Sequence, residues 1–302
     1  MRYRTLGDRT VSAIGLGAMP LSIEGRPDEA RALATVHAAL DAGVTLIDTA
    51  DSYHWHPQEE GHNEELVARA LAAYGGDTSH VLVATKGGRG RPGDGSWTVD
   101  GDPKHLRRAA EASLRRLGGE AIGLYQLHKP DPAVPWADSV GALRELHQEG
   151  KIRAAGISNV DTAQIRTART ILGDALVCVQ NRYSPADRSG EPELRLAEEL
   201  GLAYLPWSPL GGVSRSSLDA GGPADRADPA DPADPSGRTV HAFRELAEER
   251  GVSPQQVCLA WHLARSPAVI PIPGAGRPAS ARDSARAADL VLSAAELARL
   301  PQ

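Results

Sequence analysis

Eight short apolar runs recur along the chain, each followed by a stretch with helical spacing. They are Ile14-Pro20, Thr45-Ala50, Val81-Lys86, Ile122-His128, Ile152-Ser158, Ala175-Asn181, Leu202-Pro209 and Val269-Gly274. Runs such as Val81-Leu82-Val83-Ala84 are apolar on consecutive positions, the mark of a strand covered on both faces in a parallel sheet. Between them, residues 29–42 place Leu33, Val36 and Leu40 on one helical face, and residues 104–117 do the same with Leu106, Ala110, Leu114 and Leu117. Asp102-Pro103 reads as an N-cap followed by an N1 proline. Asp161…Gln164, Ser253…Gln256 and Ser293…Glu296 have capping-box spacing. Eight β-α repeats in 302 residues predict an α/β fold, a closed (β/α)8 TIM barrel in one domain spanning 1–302, rather than an open doubly wound sheet. The Arg2–Val11 segment, with Gly7-Asp8 at its centre, predicts a short N-terminal β-hairpin closing the barrel floor.

Composition narrows the function. A net charge of −6 without any Lys/Arg-rich block gives no footing for nucleic acid. No apolar run approaches the roughly 18 residues of a membrane helix, and the start lacks a signal-type segment. The two cysteines, Cys178 and Cys258, each sit in an apolar stretch, as expected of buried thiols in a reducing compartment. A cytoplasmic protein, monomeric by default, is the expectation. Residues 211–238 carry Gly or Pro at nine of 28 positions and three tandem Ala-Asp-Pro units. They predict a flexible loop after strand 7, either a lid over a ligand or a low-complexity insertion.

The chemistry is positional. Asp48 ends strand 2, with Tyr53 just beyond it; Lys86 ends strand 3 and His128 ends strand 4. Neighbouring strands lie about 4.8 Å apart, so four polar side chains on one rim can converge, on the barrel face where active sites occur. A lysine ammonium beside a tyrosine favours the phenolate, and an aspartate beside the lysine keeps it charged. Tyr53 is then a proton donor to an oxygen gaining charge, with His128 donating a hydrogen bond to the same oxygen. That constellation suits protonation of a carbonyl oxygen during hydride transfer. Gly15-Leu16-Gly17 begins like a dinucleotide fingerprint, but Pro20 stands at the third glycine position and no helix opens there. Met19, Trp55 and Trp97 fall on loops after strands 1, 2 and 3 and are candidate walls of a substrate pocket. Trp136 and Trp261 read as helix packing, and Gly87–Gly95 as a flexible rim. His54, His56 and His62 with Glu59 and Glu60 raise a metal site, but the irregular loop without cysteine favours loop contacts, and no metal is expected.

The fragments Ile47-Asp48-Thr49-Ala50-Asp51-Ser52-Tyr53, Ala84-Thr85-Lys86-Gly87-Gly88, Tyr125-Gln126-Leu127-His128, Gly156-Ile157-Ser158-Asn159, Gln180-Asn181, Trp207-Ser208-Pro209-Leu210-Gly211 and Ile270-Pro271-Ile272-Pro273-Gly274-Ala275 resemble the aldo-keto reductase superfamily, NAD(P)H-dependent (β/α)8 oxidoreductases, over nearly the whole chain. The resemblance implies a catalytic tetrad of Asp48, Tyr53, Lys86 and His128. It implies that Ser158, Asn159 and Gln180 hold the nicotinamide carboxamide, that Trp207 stacks on the nicotinamide ring, and that Ser208 and Leu210 lie along the pyrophosphate. At the adenosine end it points to Gly274, Ala275, Gly276, Arg277 and Arg282. An arginine there can pair with a 2′-phosphate, favouring NADP(H) over NAD(H). Asp283-Ser284 stand where relatives often have Glu-Asn, a shorter pair with less reach to the adenine. The expected reaction is reduction of a small-molecule aldehyde or ketone to an alcohol. An NADP-binding redox-sensing subunit with little turnover and a Schiff-base lyase using Lys86 are the alternatives.

Overall fold

In a computed structural model that describes residues 1–211, 213 and 235–301, the chain forms a parallel sheet curled into a barrel and ringed by helices. The hairpin of β1 (Tyr3–Leu6) and β2 (Arg9–Ser12) comes first, paired Leu6↔Arg9 at its turn. Then follow β3 (Leu16–Gly17), α1 (Glu29–Asp41), β4 (Leu46–Asp48), α2 (His62–Ala73), β5 (Leu82–Gly87), β6 (Arg89–Gly90), β7 (Thr98–Val99), α3 (Pro103–Leu117), β8 (Leu124–Leu127), α4 (Trp136–Gln148), β9 (Ala155–Ser158), α5 (Thr162–Leu172), β10 (Leu176–Gln180), α6 (Glu191–Glu199), β11 (Ala203–Tyr204), α7 (Pro235–Arg250), α8 (Pro254–Arg265), α9 (Pro278–Arg286) and α10 (Ala294–Ala298). The sheet runs β3-β4-β5-β8-β9-β10-β11 with every neighbour parallel.

The eighth run, Val269-Gly274, closes the barrel without being a regular strand. It meets its neighbours through single bridges, Tyr204↔Val269 and Gly17↔Gly274. On one side Ile270 and Ile272 donate to the carbonyls of Tyr204 and Pro206; on the other, Gly15 and Gly17 donate to those of Pro271 and Pro273. The two prolines have no N–H to return toward β3, and the return bond comes from Ala275, which donates to the Gly17 carbonyl at 3.4 Å. Gly17 belongs to this seam: a Cβ there would stand 2.8 Å from the Ile272 carbonyl oxygen. The Gly15-Leu16-Gly17 motif therefore serves close backbone approach, not a dinucleotide turn.

Strand alternation sorts the barrel interior into layers. Leu46, Leu82, Ala84, Leu124, Cys178, Ala203, Leu205, Ile270 and Ile272 form one buried cluster, sealed below by Leu6 and Val11 of the hairpin. Two positions further along each strand the same inward column turns polar: Asp48 after Leu46, Lys86 after Ala84, Gln126 and His128 after Leu124, Gln180 after Cys178. Outward residues pack under the helices, as Ile47 does with Val36 and Val67.

The helix starts follow their caps. Asp102 accepts from the N–H groups of Lys104 and His105, and Asp161–Gln164 and Ser293–Glu296 form reciprocal capping boxes. Ser253 makes only its own half, because Gln256 turns to Asp283. Trp261 is buried in the helix layer and Trp136 is packed against the same core. Two expectations need correction. The Gly87–Gly95 rim is not merely flexible: it carries β6, paired with β7 as Arg89↔Val99 and Gly90↔Thr98. The loop expected over 211–238 falls mostly outside the described residues, and its last four positions belong to α7, which opens on Pro235 with a fixed φ suited to a first helical turn.

Candidate active site

Asp48 ends β4 inside the barrel, and the turn after it is pinned by backbone bonds to β5, Thr49 to the Ala84 carbonyl and Asp51 to that of Lys86. That turn folds Tyr53 back over the rim. Lys86 reaches it from the neighbouring strand, donating to the Tyr53 hydroxyl at 3.1 Å, to the Thr49 carbonyl at 2.9 Å and to Asp48 in a short ion pair. Lys86 is the penultimate residue of β5 and His128 lies one past the end of β8, each a residue from its expected place, because the ladder ends where the rim loops begin. Lys86, Asp48, Tyr53 and His128 are all buried. The Tyr53 and His128 rings meet edge to face, centroids 5.6 Å apart.

Asp48 is braced from across the barrel. Its second oxygen accepts from Gln180 at 2.8 Å and Gln126 at 3.2 Å. Gly156 makes room for this layer, since a Cβ there would strike the Gln126 side chain. Gln126 was not anticipated, although a lone amide at an inward position between Leu124 and His128 is a readable signal.

The electrostatics correct one expectation. Burial pushes the Tyr53 phenol above its usual pKa; Lys86 pulls the other way without prevailing. Lys86 therefore does not bring the phenol's pKa down as expected, and Tyr53 stays protonated, the state a proton donor needs. Burial opposes the charge on Lys86, but Asp48 and Tyr53 more than offset it and raise its pKa. A lysine held charged in this way is unsuited to Schiff-base chemistry. Burial, then the charges of Lys86 and Arg89, hold His128 well below the usual histidine range, hence neutral. Ser52 Oγ lies 3.4 Å from its Nδ1.

These groups open onto a cavity of about 280 Å³ lined by Gly17, Met19, Pro20, Asp48, Tyr53, Arg89, Trp97, His128, Ser158, Asn159, Gln180, Arg182, Trp207, Ile272 and Gly274. Met19 and Trp97 are on its wall, as expected of pocket residues. Trp55 is not: it follows buried His54, and its ring is exposed and stacked on His56. Arg89 and Arg182 were missed by the sequence reading. Among the described residues the non-glycine positions with positive φ are Asn159 at 59°, on the cavity wall, and Ser208 at 49°, next in sequence to the wall residue Trp207, an uncommon conformation that concentrates at functional sites. Asn159 Nδ2 donates to the His128 carbonyl and to Ser158 Oγ, and Ser158 donates to the Gln180 carbonyl. Gln180 spends both amide hydrogens on Asp48 and Gln126, which leaves its Oε1 for a ligand. Trp207 Nε1 is buried without a partner.

Other expected residues lie further along the rim. Leu210 is packed against the core. Gly274 lines the cavity, Ala275 is buried and Gly276 half-buried. Arg277 caps α9, its Nε donating to Ser280, and Arg282 is exposed on the same helix. Ser284 is buried. Asp283 is bonded to Ser253 and Gln256 of α8 at 2.6 Å each, so its carboxylate braces two helices. The histidine-rich stretch is divided among separate contacts: His54 donates to the His56 carbonyl, His62 bonds Ser22, Glu59 pairs with Arg26 and Glu60 with Arg116. Among the described residues no three His, Cys, Asp or Glu side chains are arranged to hold a metal ion.

A parallel barrel with a buried Asp–Lys–Tyr chain at the C-terminal ends of its strands, beside a tryptophan and a cluster of amides, defines an oxidoreductase of the (β/α)8 class. Comparison with known proteins gives the particular family. The model of the aldo/keto reductase family matches residues 13–302, and the chain belongs to that family. It is 32% identical to pyridoxine 4-dehydrogenase of Escherichia coli K12, covering 98% of this chain and 96% of that one. Its structure is similar to that of a glycerol dehydrogenase from Gluconobacter oxydans, with TM-score 0.79, 33% identity and coverage of 97% and 92% of the two chains. It is also similar to an aldo/keto reductase from Klebsiella pneumoniae in complex with NADP and acetate, with TM-score 0.76, 29% identity and coverage of 98% and 93%. Among the described residues no helix is long and apolar enough to cross a membrane.

Proposed function

We propose that this protein reduces an aldehyde or ketone to an alcohol with NADPH. The observation that carries the reading is the Asp48–Lys86–Tyr53 chain ending in a cavity that also holds His128 and Trp207. The cavity suits a nicotinamide ring. Trp207 offers a flat face and an unpartnered N–H; Ser158, Asn159 and Gln180 offer polar groups to a carboxamide; and Gly17 and Gly274 line the wall without side chains. Ser208 and Leu210 would follow the pyrophosphate. Gly274, Ala275, Gly276, Arg277, Arg282, Asp283 and Ser284 would lie at the adenosine end, where Arg277 and Arg282 would supply the charge for a 2′-phosphate. The NADP held by the Klebsiella pneumoniae relative supports that preference.

When bound, the reduced nicotinamide supplies the hydride. The protein's own part is proton supply and orientation. Tyr53 accepts a hydrogen bond from Lys86, so its own O–H is free to point at the substrate oxygen. As negative charge grows on that oxygen the proton moves from Tyr53, and the resulting phenolate is stabilised by the Lys86 ammonium 3.1 Å away. Neutral His128 donates to the same oxygen and orients the carbonyl. Asp48 and the two glutamines hold Lys86 charged and in place. The two cysteines, buried and unpaired, suit a reducing compartment, so a cytoplasmic enzyme acting on a small carbonyl compound is the reading we adopt.

The test is NADPH oxidation, followed by absorbance, across a panel of aldehydes and ketones, beside a fluorescence titration with NADPH and NADH. Tight NADPH binding with no turnover on any carbonyl would overturn the reductase reading in favour of a redox-sensing subunit.

A further inference from the structure

Two arginines, Arg89 and Arg182, line the cavity, and a third, Arg91, packs on its wall residue Trp97; they differ in what balances their charge. Arg91 is paired with Glu24, and Arg182 stands 3.4 Å from Asp187. Arg89, the first residue of β6, lines the cavity with Tyr53 and His128 and has no carboxylate partner among the described residues. Its Nε is buried with no hydrogen-bond partner. The one acid on the cavity wall, Asp48, is already engaged by Lys86, Gln126 and Gln180.

What Arg89 has is Trp97. Its guanidinium carbon lies 4.4 Å from the indole centroid, and that of Arg91 lies 4.5 Å from the same ring. A cation–π contact is worth roughly 0.5–2 kcal/mol and does not replace a counter-ion, and here one ring serves two cations. The β6–β7 pairing holds Arg89 and brings Trp97 up beside it. The sequence thus fixes a half-buried positive charge beside the reacting groups and leaves it unbalanced, an arrangement that costs free energy unless a ligand completes it.

Resting on the carbonyl-reductase reading, we propose that the substrate carries an anionic group, a carboxylate or a phosphate, bound by Arg89 against Trp97 while its carbonyl meets Tyr53 and His128. A guanidinium stacked on an indole keeps its edge open, and that edge matches two oxygens of a carboxylate or phosphate in a bidentate pair. Met19 lines the rest of the wall and suits a short apolar body between the two ends.

The experiment compares kcat/KM with NADPH for matched pairs: 4-carboxybenzaldehyde against 4-formylbenzamide, and glyceraldehyde 3-phosphate against glyceraldehyde. The first pair reports a carboxylate and the second a phosphate. Wild type should favour the charged member of at least one pair by about tenfold or more, and Arg89→Gln should bring that ratio close to unity while Arg89→Lys keeps part of it. Because each ratio is taken within one protein, a general loss of activity or folding in a variant does not mimic the effect. A ratio near unity in wild type for both pairs, or one unchanged by Arg89→Gln, overturns the proposal. If no aldehyde turns over, it is the reductase reading that fails. The anion site is then judged by fluorescence titration of the NADPH-loaded protein with terephthalate: about tenfold weaker binding in Arg89→Gln supports it, and equal binding overturns it.

Discussion

Lys86 stands between two partners, donating to the Tyr53 hydroxyl at 3.1 Å on one side and to the Asp48 carboxylate on the other. The lysine is thereby anchored by one group and poised to stabilise the anion of the other. Removing the phenol should remove the proton without disturbing the anchor. In Tyr53→Phe we expect kcat to fall by roughly 10²–10⁴-fold, with NADPH affinity nearly unchanged because the ring and its packing remain. Stopped-flow reduction and a cofactor titration check this; turnover at the wild-type rate would exclude Tyr53 as the acid.

The same chain makes a stability prediction. Lys86→Met leaves the Asp48 carboxylate buried with only two amide donors. Breaking a buried pair from one side costs about 3–5 kcal/mol, whereas removing both charges costs less. Lys86→Met should therefore lower the denaturant midpoint strongly, and adding Asp48→Asn should recover much of the loss. An additive double variant would show that the pair is not coupled in the folded state.

His262 links pH to stability. Its Nε2 donates to the Pro209 carbonyl at 2.8 Å, and its Nδ1 is buried with no partner. Burial lowers its pKa to about 4 against an ordinary 6.5. Between those values the unfolded chain takes up the proton and the folded one does not, so stability is complete above about 6.5 and falls as pH drops toward 4. The loss for this one group is roughly 3 kcal/mol. Buried His128 adds in the same direction. Urea unfolding across that window should show a steeper loss in wild type than in His262→Gln, whose amide can still donate to Pro209; parallel curves would contradict the assignment.

The seam of the barrel is a further test. Gly17→Ala puts a methyl group 2.8 Å from the Ile272 carbonyl oxygen and 3.2 Å from the Gly274 amide nitrogen, both of them backbone atoms that cannot swing away. We expect a loss on the order of 1–3 kcal/mol from overpacking, together with weaker cofactor binding because Gly17 and Gly274 line the same cavity. Thermal melts and NADPH titration read the two effects; a variant of wild-type stability would mean the seam can open freely.

Cofactor choice should follow Arg277. Replacing it with serine is expected to weaken NADPH binding by about tenfold through loss of a charge-assisted phosphate contact, with NADH nearly unaffected. Equal weakening of both cofactors would place Arg277 away from the 2′-phosphate.

Much of the arrangement was legible in the order of residue types. Apolar runs at strand length, capping residues such as Asp102 and Asp161, and polar side chains at Asp48, Lys86 and His128 marked the barrel and its working rim, because strand periodicity and helix capping are local. Val269-Gly274 was readable as the closing segment, but its reduction to single bridges follows from which side Pro271 and Pro273 face, and that is set by neighbours distant in sequence. Trp55 and Trp97 looked equivalent as loop aromatics; the β6–β7 pairing brings one against Tyr53, while the other, beyond buried His54, is exposed.

The sequence by itself determined the repeat, the carboxylate, phenol, ammonium and imidazole that gather at one rim, and the strands that carry them. Only the tertiary structure decided their states. Burial outweighs the nearby lysine and keeps Tyr53 protonated, Gln126 and Gln180 reach Asp48 across the barrel, and Arg89 stands at the cavity without a carboxylate partner among the described residues. Those outcomes depend on desolvation and on contacts between residues far apart in the chain, which no local pattern encodes.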